Sequence, residues 1–256
     1  MLIAAAAVLG LIFGSFATVV AHRVPRRESI VRGRSRCPVC GHTIGALENL
    51  PLVSYALQGG RCRNCRARIS PRYPLQEAAC AVLFAAAAIR FGLSLEAVVF
   101  AAFFWVLLVL TVIDLEHHLL PNRIVYPAFI AGWIALAVAA LVSNEPERLI
   151  SALWGMAVFG GFFFVVGFLF PAGMGGGDVK LAFVLGTFLG YVGGAGLAAV
   201  GMFLAFLFGT VIGIGVMLLG KGGRKTKIPF GPFLALGTIV AILVGDRLLD
   251  AYLSSF

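Results

Sequence analysis

The sequence predicts an all-α polytopic membrane protein with about eight transmembrane helices and a cytoplasmic zinc-binding loop. Hydrophobic residues make up 61% of the 256 positions and charged residues only 12%, whereas about half of a soluble domain is apolar and about a quarter is charged. The apolar stretches have the ~20 residues that a helix needs to cross the hydrocarbon core of a bilayer. They also lack the alternation of polar and apolar residues that is typical of the strands of a membrane β-barrel.

Eight stretches are predicted to span the membrane. They lie at 2–21, 73–90, 95–113, 124–142, 149–170, 179–193, 195–219 and 231–252. No basic residue precedes the first stretch and several arginines follow it, which favours a retained helix with its N-terminus outside over a secretory signal. The chain is therefore predicted to consist of a first transmembrane helix at 1–21, a cytoplasmic loop at 22–72, and a helical bundle at 73–256.

Lysine and arginine residues gather on one side of the predicted spans. Eleven of them lie in 22–72 and four in 220–229, and the positive-inside rule places these loops in the cytoplasm. Alternation of the spans then brings Asp114 and Asp178 to that same face. The formal net charge is +9, but its confinement to loops beside a membrane favours contact with anionic lipid headgroups over nucleic-acid binding. We expect the 220–229 loop to lie against lipid or to help cover the site.

The cytoplasmic loop contains two Cys-x-x-Cys pairs, Cys37 with Cys40 and Cys62 with Cys65. Each pair offers two thiolates from one turn, and together they complete the tetrahedral ligand set of a structural zinc ion. Disulfides are the alternative, but the reducing cytoplasm disfavours them. His42 is a possible replacement ligand, although four sulfurs make it unnecessary.

A glycine-rich stretch between the fifth and sixth spans ends in an acidic residue, Asp178. Four glycines precede it, at positions 173, 175, 176 and 177. Glycine permits close approach of another main chain, which suits the binding of an extended peptide as an added strand. Taken alone, this stretch favours the interpretation of Asp178 as a helix cap. A second carboxylate, Asp114, lies at the end of the third span, and two acids at one membrane face point to a function.

Several stretches resemble the type IV prepilin peptidases, which are membrane aspartyl proteases of the GxGD class. The matching stretches are Gly14-Ser15-Phe16, the tetracysteine loop with Glu48-Asn49 and Arg72-Tyr73-Pro74-Leu75, Ile113-Asp114 ahead of Leu120-Pro121-Asn122, Gly175-Gly176-Gly177-Asp178, and Pro229-Phe230-Gly231-Pro232-Phe233. The resemblance thus runs through nearly the whole chain. It departs from the family at Asn122 and Thr18, where many members have Asp and Asn.

This resemblance implies cleavage of the basic leader from type IV prepilins or pseudopilins at the cytoplasmic face of the bacterial inner membrane. It implies that Asp114 and Asp178 are the catalytic pair, holding one water and sharing one proton. The implied substrate-holding residues are Gly175, Gly176, Gly177 and Lys180. Members with the tetracysteine loop often also methylate the new N-terminus with S-adenosylmethionine. Glu48 and Asn49 are the residues that we assign to this methyl-transfer region.

Two functions of other classes remain open. An ion or proton-coupled transporter would use the two intramembrane acids as carriers. Such a pathway needs polar residues at mid-span, whereas these spans consist almost entirely of Ala, Val, Leu, Phe and Gly. A non-catalytic zinc-loop scaffold would leave the two aspartates unexplained. The sequence predicts no oligomeric state.

Overall fold

The structure, a computed structural model, describes residues 1–31, 35–45, 47–171, 174–219 and 229–253, with side chains up to residue 249. The helices are α1 (Leu2–Arg23), α2 (Val53–Leu57), α3 (Arg72–Phe91), α4 (Leu95–His117), α5 (Asn122–Val142), α6 (Glu147–Leu169), α7 (Gly176–Leu218) and α8 (Gly231–Leu253), with a 3₁₀ turn at Leu47–Asn49. In these ranges the only β-structure consists of two isolated bridges. The predicted all-α class is confirmed. The basic loop predicted at 220–229 lies, apart from Pro229, outside the described residues.

Seven of the described helices are long and apolar enough to cross a membrane, namely all except α2. Helix α7 has 43 residues, and Gly193 and Gly194 interrupt it with non-helical backbone. A Cβ on Gly201 would lie 2.8 Å from the side chain of Leu189, although twelve positions of continuous helix would separate them by about 18 Å. The chain therefore folds back at the glycine pair, near the predicted boundary between the sixth and seventh spans, so that one long helix covers two of the predicted spans.

Glycines let α6 and the first part of α7 pack main chain against main chain. A side chain on Gly155 of α6 would collide with the backbone of Gly190 and with the carbonyl of Gly186. Helix association inside a bilayer relies on such van der Waals contact, because lipid is as apolar as the side chains. This contact helps to set the position of α7, whose first turn carries Asp178.

The chain forms two compact units, Met1–Val109 and Leu110–Phe256. The first unit contains the cysteine-rich loop between α1 and α3. The second contains Asp114 and Asp178. The three-part division predicted from the sequence follows other boundaries and stays a prediction.

In the first unit, α1 and α3 run antiparallel in close contact. A Cβ on Gly10 would lie 2.6 Å from Cα of Ala81, and one on Gly14 would lie 2.7 Å from Cα of Glu77. The indole Nε1–H of Trp105 in α4 donates a 2.8 Å hydrogen bond to a main-chain carbonyl of α1. These contacts pack α1 against α3, the two helices that flank the loop, and attach α4 to α1.

Candidate active site and metal centre

Asp114 lies near the end of α4 with its carboxylate buried. Only 5% of the residue is exposed, and Oδ2 accepts a 3.1 Å hydrogen bond from the main-chain N–H of Gly231. Gly231 is the first residue of α8, so this N–H has no acceptor inside its own helix and lies at the positive end of the helix dipole. The carboxylate of Asp114 is thus held by a main-chain N–H that has no partner within α8.

Asp178 is the third residue of α7. Its carboxylate accepts a hydrogen bond from the main-chain N–H of Gly175, the residue that precedes the helix. This is the back-bond that an acidic residue makes in a capping box. Asp178 therefore does act as a helix-capping residue. The same bond also orients the carboxylate.

The structure brings the two predicted catalytic carboxylates together. They are close enough for the charge of Asp114 to act on Asp178. The side chain of Leu120 packs against a glycine beside each carboxylate. A Cβ on Gly177, next to Asp178, would lie 3.0 Å from it, and a Cβ on Gly231, the donor to Asp114, would lie 3.5 Å from it. Charges in such a buried and largely apolar setting interact more strongly than they do in water.

The three glycines before Asp178 differ in backbone conformation. Gly175 is extended, whereas Gly176 and Gly177 form the first turn of α7. The expectation of an added strand is therefore wrong for Gly176 and Gly177, because a helical backbone cannot continue a sheet. Their first-turn N–H groups have no acceptor inside the helix and are available as hydrogen-bond donors. Glycine at 177 allows a close approach to Leu120, since a Cβ there would lie 3.0 Å from that of Leu120 and would need a small shift of the leucine.

Lys180 faces α5. Its Nζ lies 3.1 Å from Oδ1 of Asn122 and 5.5 Å from the ring centre of Tyr126. Both partners are neutral, so they hold the ammonium group without cancelling its charge. Lys180 thereby ties the start of α7 to the start of α5, and its role in holding substrate stays a prediction.

An aromatic cluster positions the first turn of α8. The ring of Phe230 lies 6.0 Å from that of Phe163 and 5.5 Å from that of Phe206, within the range of attractive ring pairs. Because Phe230 immediately precedes Gly231, this packing fixes the donor to Asp114. Sequence reasoning missed this role of Gly231, since no local pattern connects it with a carboxylate 117 positions away.

The four paired cysteines converge on one point. The Sγ atoms of Cys37, Cys40, Cys62 and Cys65 all lie within 4.8 Å of one another, and those of Cys37 and Cys65 are 3.8 Å apart. Tetrahedral zinc with Zn–S bonds of ~2.3 Å would place its sulfurs about 3.8 Å apart. All four are free thiols. The cluster is therefore able to hold a metal ion, and its donors fit zinc.

The two Cys-x-x-Cys turns are copies of one another. Each is closed by an isolated bridge, Arg36 with Thr43 and Arg61 with Arg68. In each turn, the first cysteine donates its N–H to the carbonyl five positions on and accepts an N–H from the residue four positions on. The repeat gives each cysteine pair the same local geometry and so pre-forms both halves of the ligand set.

Hydrogen-bond donors within these turns favour the metal-binding thiolate form of two of the cysteines, Cys40 and Cys62. The main-chain N–H of His42 and the side-chain amide of Asn64 lower the pKa of the Cys40 thiol to about 6. Main-chain donors at Cys65 and Asn64 lower the pKa of Cys62. Deprotonated ligands are what metal binding requires.

Glu48 borders a cavity of about 310 Å³ in the loop. It accepts a 2.9 Å hydrogen bond from the N–H of Gly45 and lies 3.6 Å from His42 and 3.7 Å from Arg63. The hydrogen bond from Gly45 lowers the pKa of Glu48 most, and the charges of His42 and Arg63 lower it further. His42 therefore faces Glu48. Asn49 ends the same 3₁₀ turn. The other lining residues are Leu47, Ser54, Leu57, Gln58, Arg61 and Arg66.

Two family descriptions match adjoining parts of the chain. Residues 8–91 match the Bacterial Peptidase A24 N-terminal domain, and residues 101–218 match the Type IV leader peptidase family. Together they include the cysteine cluster and both aspartates. No solved structure matches the chain.

Curated relatives match over nearly the full length and carry the name prepilin leader peptidase/N-methyltransferase. The Bacillus subtilis protein is 36% identical over 96% of each chain. The proteins of Stutzerimonas stutzeri and Pseudomonas aeruginosa are also 36% identical, over 97% and 96% of this chain and 92% and 91% of theirs. The resemblance inferred from the motifs is confirmed, and the chain belongs to the type IV leader peptidase family.

Proposed function

We propose that this protein is a membrane aspartic endopeptidase that removes the leader of type IV prepilins or pseudopilins and then methylates the new N-terminus. The meeting of Asp114 with Asp178, at the ends of α4 and α7, carries the peptidase half of the proposal. The names of the relatives support both halves and suggest the substrate class.

In the proposed hydrolysis, one carboxylate is ionised and the other protonated. The ionised carboxylate takes a proton from water as the water oxygen attacks the scissile carbonyl carbon, and the protonated one gives its proton to the carbonyl oxygen. The C–N bond then breaks as the tetrahedral intermediate collapses, and the departing amine takes a proton from the pair. Throughout, the N–H of Gly231 keeps the carboxylate of Asp114 in place, while Gly176 and Gly177 offer donors for the substrate backbone.

We place this chemistry at the cytoplasmic face of the membrane. Both aspartates lie at ends of spans that, counted alternately, share a side with the loop at 22–72. That loop holds eleven of the twenty lysine and arginine residues. The positive-inside rule supports a cytoplasmic location for such a loop.

The cavity beside Glu48 is the proposed place of methyl transfer. S-adenosylmethionine would supply the methyl group: the neutral N-terminal amine would attack the methyl carbon, the bond to the sulfonium sulfur would break, S-adenosylhomocysteine would leave, and a proton would pass from the amine to water. An ionised Glu48 suits the binding of the cationic amino group that S-adenosylmethionine carries. The metal would be structural zinc held by the four thiolates, which order the loop on either side of this cavity.

The test is incubation of the purified protein with a prepilin peptide, with and without S-adenosylmethionine, followed by mass measurement. We expect the leader to be lost in both samples, and one methyl group to be gained only in the sample with S-adenosylmethionine. A folded protein that leaves the peptide intact would contradict the peptidase proposal. Cleavage without any gain of mass would contradict only the methyl-transfer half.

A further inference from the structure

Residues 47–57, named here the interfacial segment, expose an unusual amount of apolar surface for part of a polar loop. Leu47 and Leu57 are 81% and 84% exposed, and Leu50 and Val53 are also exposed. Val53 and Leu57 are four positions apart in α2 and so share one face. Clustered apolar residues on a surface mark a contact with a partner or a membrane.

Hydrogen bonds hold the interfacial segment against the transmembrane helices of its own unit. Oε2 of Glu77 accepts a 2.9 Å hydrogen bond from the N–H of Leu52, and the same carboxylate interacts with the hydroxyl of Ser15 in α1. Glu77 is the sixth residue of α3, about 7 to 8 Å along the axis from its start. The segment therefore reaches past the first turn of a helix that spans the membrane.

The backbone of Leu52 shows that this placement is specific. Its φ is +59° and its ψ is −44°, outside the regions that L-residues ordinarily occupy, and such a conformation persists only where the surroundings impose it. The bond to Glu77 holds the residue in this conformation, directly before α2 begins. The carboxylate thus positions the whole interfacial segment.

We propose that the interfacial segment inserts its apolar face into the headgroup and acyl boundary of the leaflet on the loop side. Amphipathic elements bind there when apolar residues are flanked by cations. Arg61, Arg63 and Arg66 line the cavity that Leu47 and Leu57 border, and their guanidinium groups match lipid phosphates. The occupant of this surface is therefore anionic phospholipid.

A second copy of the chain fits this surface less well. A symmetric dimer places the same patch on both sides of its interface. Such an interface would bring two sets of these three arginines close together, and like charges in one interface are repulsive. The proposal does not depend on the assignment of methyl transfer to the neighbouring cavity.

The experiment uses the full-length protein in vesicles of phosphatidylglycerol and phosphatidylethanolamine. The photo-crosslinking residue benzoylphenylalanine is introduced at position 57 and, as a matched control, at position 39. Val39 is also apolar and is 71% exposed, but it lies in the first Cys-x-x-Cys turn. Adducts are identified by mass spectrometry after irradiation.

We expect several-fold more lipid adduct from position 57 than from position 39. Glu77→Leu should lower the lipid adduct at position 57 several-fold. Glu77→Gln should leave that adduct close to its original level, because the amide oxygen still accepts the hydrogen bond from Leu52. The lipid adduct formed at position 82, on the exposed side of α3, should be the same in both variants. Equal adducts at 57 and 39, no lipid adduct at 57, or crosslinking at 57 to a second protein chain would each overturn the proposal.

Discussion

The main-chain N–H of Gly231 donates a hydrogen bond to Oδ2 of Asp114, from the first residue of α8 to the end of α4. Asp178 accepts its own main-chain bond at the start of α7. Each carboxylate is therefore held by a donor at a helix N-terminus, where backbone N–H groups lack partners and the helix dipole favours anions. The two bonds thus connect the ends of three helices, α4, α7 and α8, at one pair of carboxylates.

Gly231→Ala should disable cleavage without unfolding the protein. A Cβ at this position would lie 2.6 Å from Oδ2 of Asp114, so the carboxylate must move. A displacement of about 1 Å in a catalytic group costs on the order of 100-fold in rate. The matched control is Gly161→Ala in α6, where a Cβ would have no neighbour within 4 Å. Near-normal turnover in a folded Gly231→Ala protein would show that Gly231 does not position Asp114.

The cysteine cluster should hold about one zinc ion per chain by thiolate coordination. Metal analysis of the detergent-purified protein checks this, and Cys62→Ser should lose the metal. Cys80→Ala is the control, because Cys80 is buried in α3 and lies outside the cluster. Two disulfides found by mass spectrometry in freshly prepared protein would contradict the prediction.

Loss of the metal should impair methylation more than cleavage. Structural zinc contributes folding energy chiefly to the segment that it ties, and the cluster lies in the loop of the first unit. Cys62→Ser should therefore lose methylation severely, with a smaller loss of cleavage. Asp178→Asn should show the reverse, blocking cleavage while still methylating a supplied, already trimmed peptide. Equal loss of both activities in Cys62→Ser, together with lower thermal stability of the helical bundle, would show that no such division exists.

The reversal within α7 should depend on the backbone of Gly194, whose φ is +65°. Gly194→Ala should lower the free energy of unfolding by about 1–3 kcal/mol, the cost of holding another residue in a backbone region that is essentially confined to glycine. Gly213→Ala is the matched control, since a Cβ at either position would have no neighbour within 4 Å. In a helix that control should be neutral or stabilising. Thermal unfolding in detergent compares the two, and equal midpoints would contradict the prediction.

Composition and short-range spacing predict much of this structure. The spans follow from apolar length alone. The metal cluster follows from two Cys-x-x-Cys pairs, because the first cysteine's hydrogen bonds in each turn are local.

Contacts between distant residues could not be predicted in the same way. The bond from Gly231 to Asp114 and that from Leu52 to Glu77 join elements whose meeting depends on the packed helices. The helical form of Gly176 and Gly177 also differs from expectation, because glycine is a poor helix former. The close approach of Gly177 to Leu120 becomes visible only in the folded chain.

The central claim is that Asp114 and Asp178 act as one catalytic unit. The most direct measurement is the cleavage rate of a prepilin peptide by Asp114→Asn, Asp178→Asn and the double variant, each verified as folded and membrane-inserted. Members of a catalytic unit are non-additive, so each single change should reduce the rate by on the order of 10⁴-fold, and the double variant should be no slower than either. Near-normal turnover by either single variant, or a double variant whose losses multiply, would contradict the account.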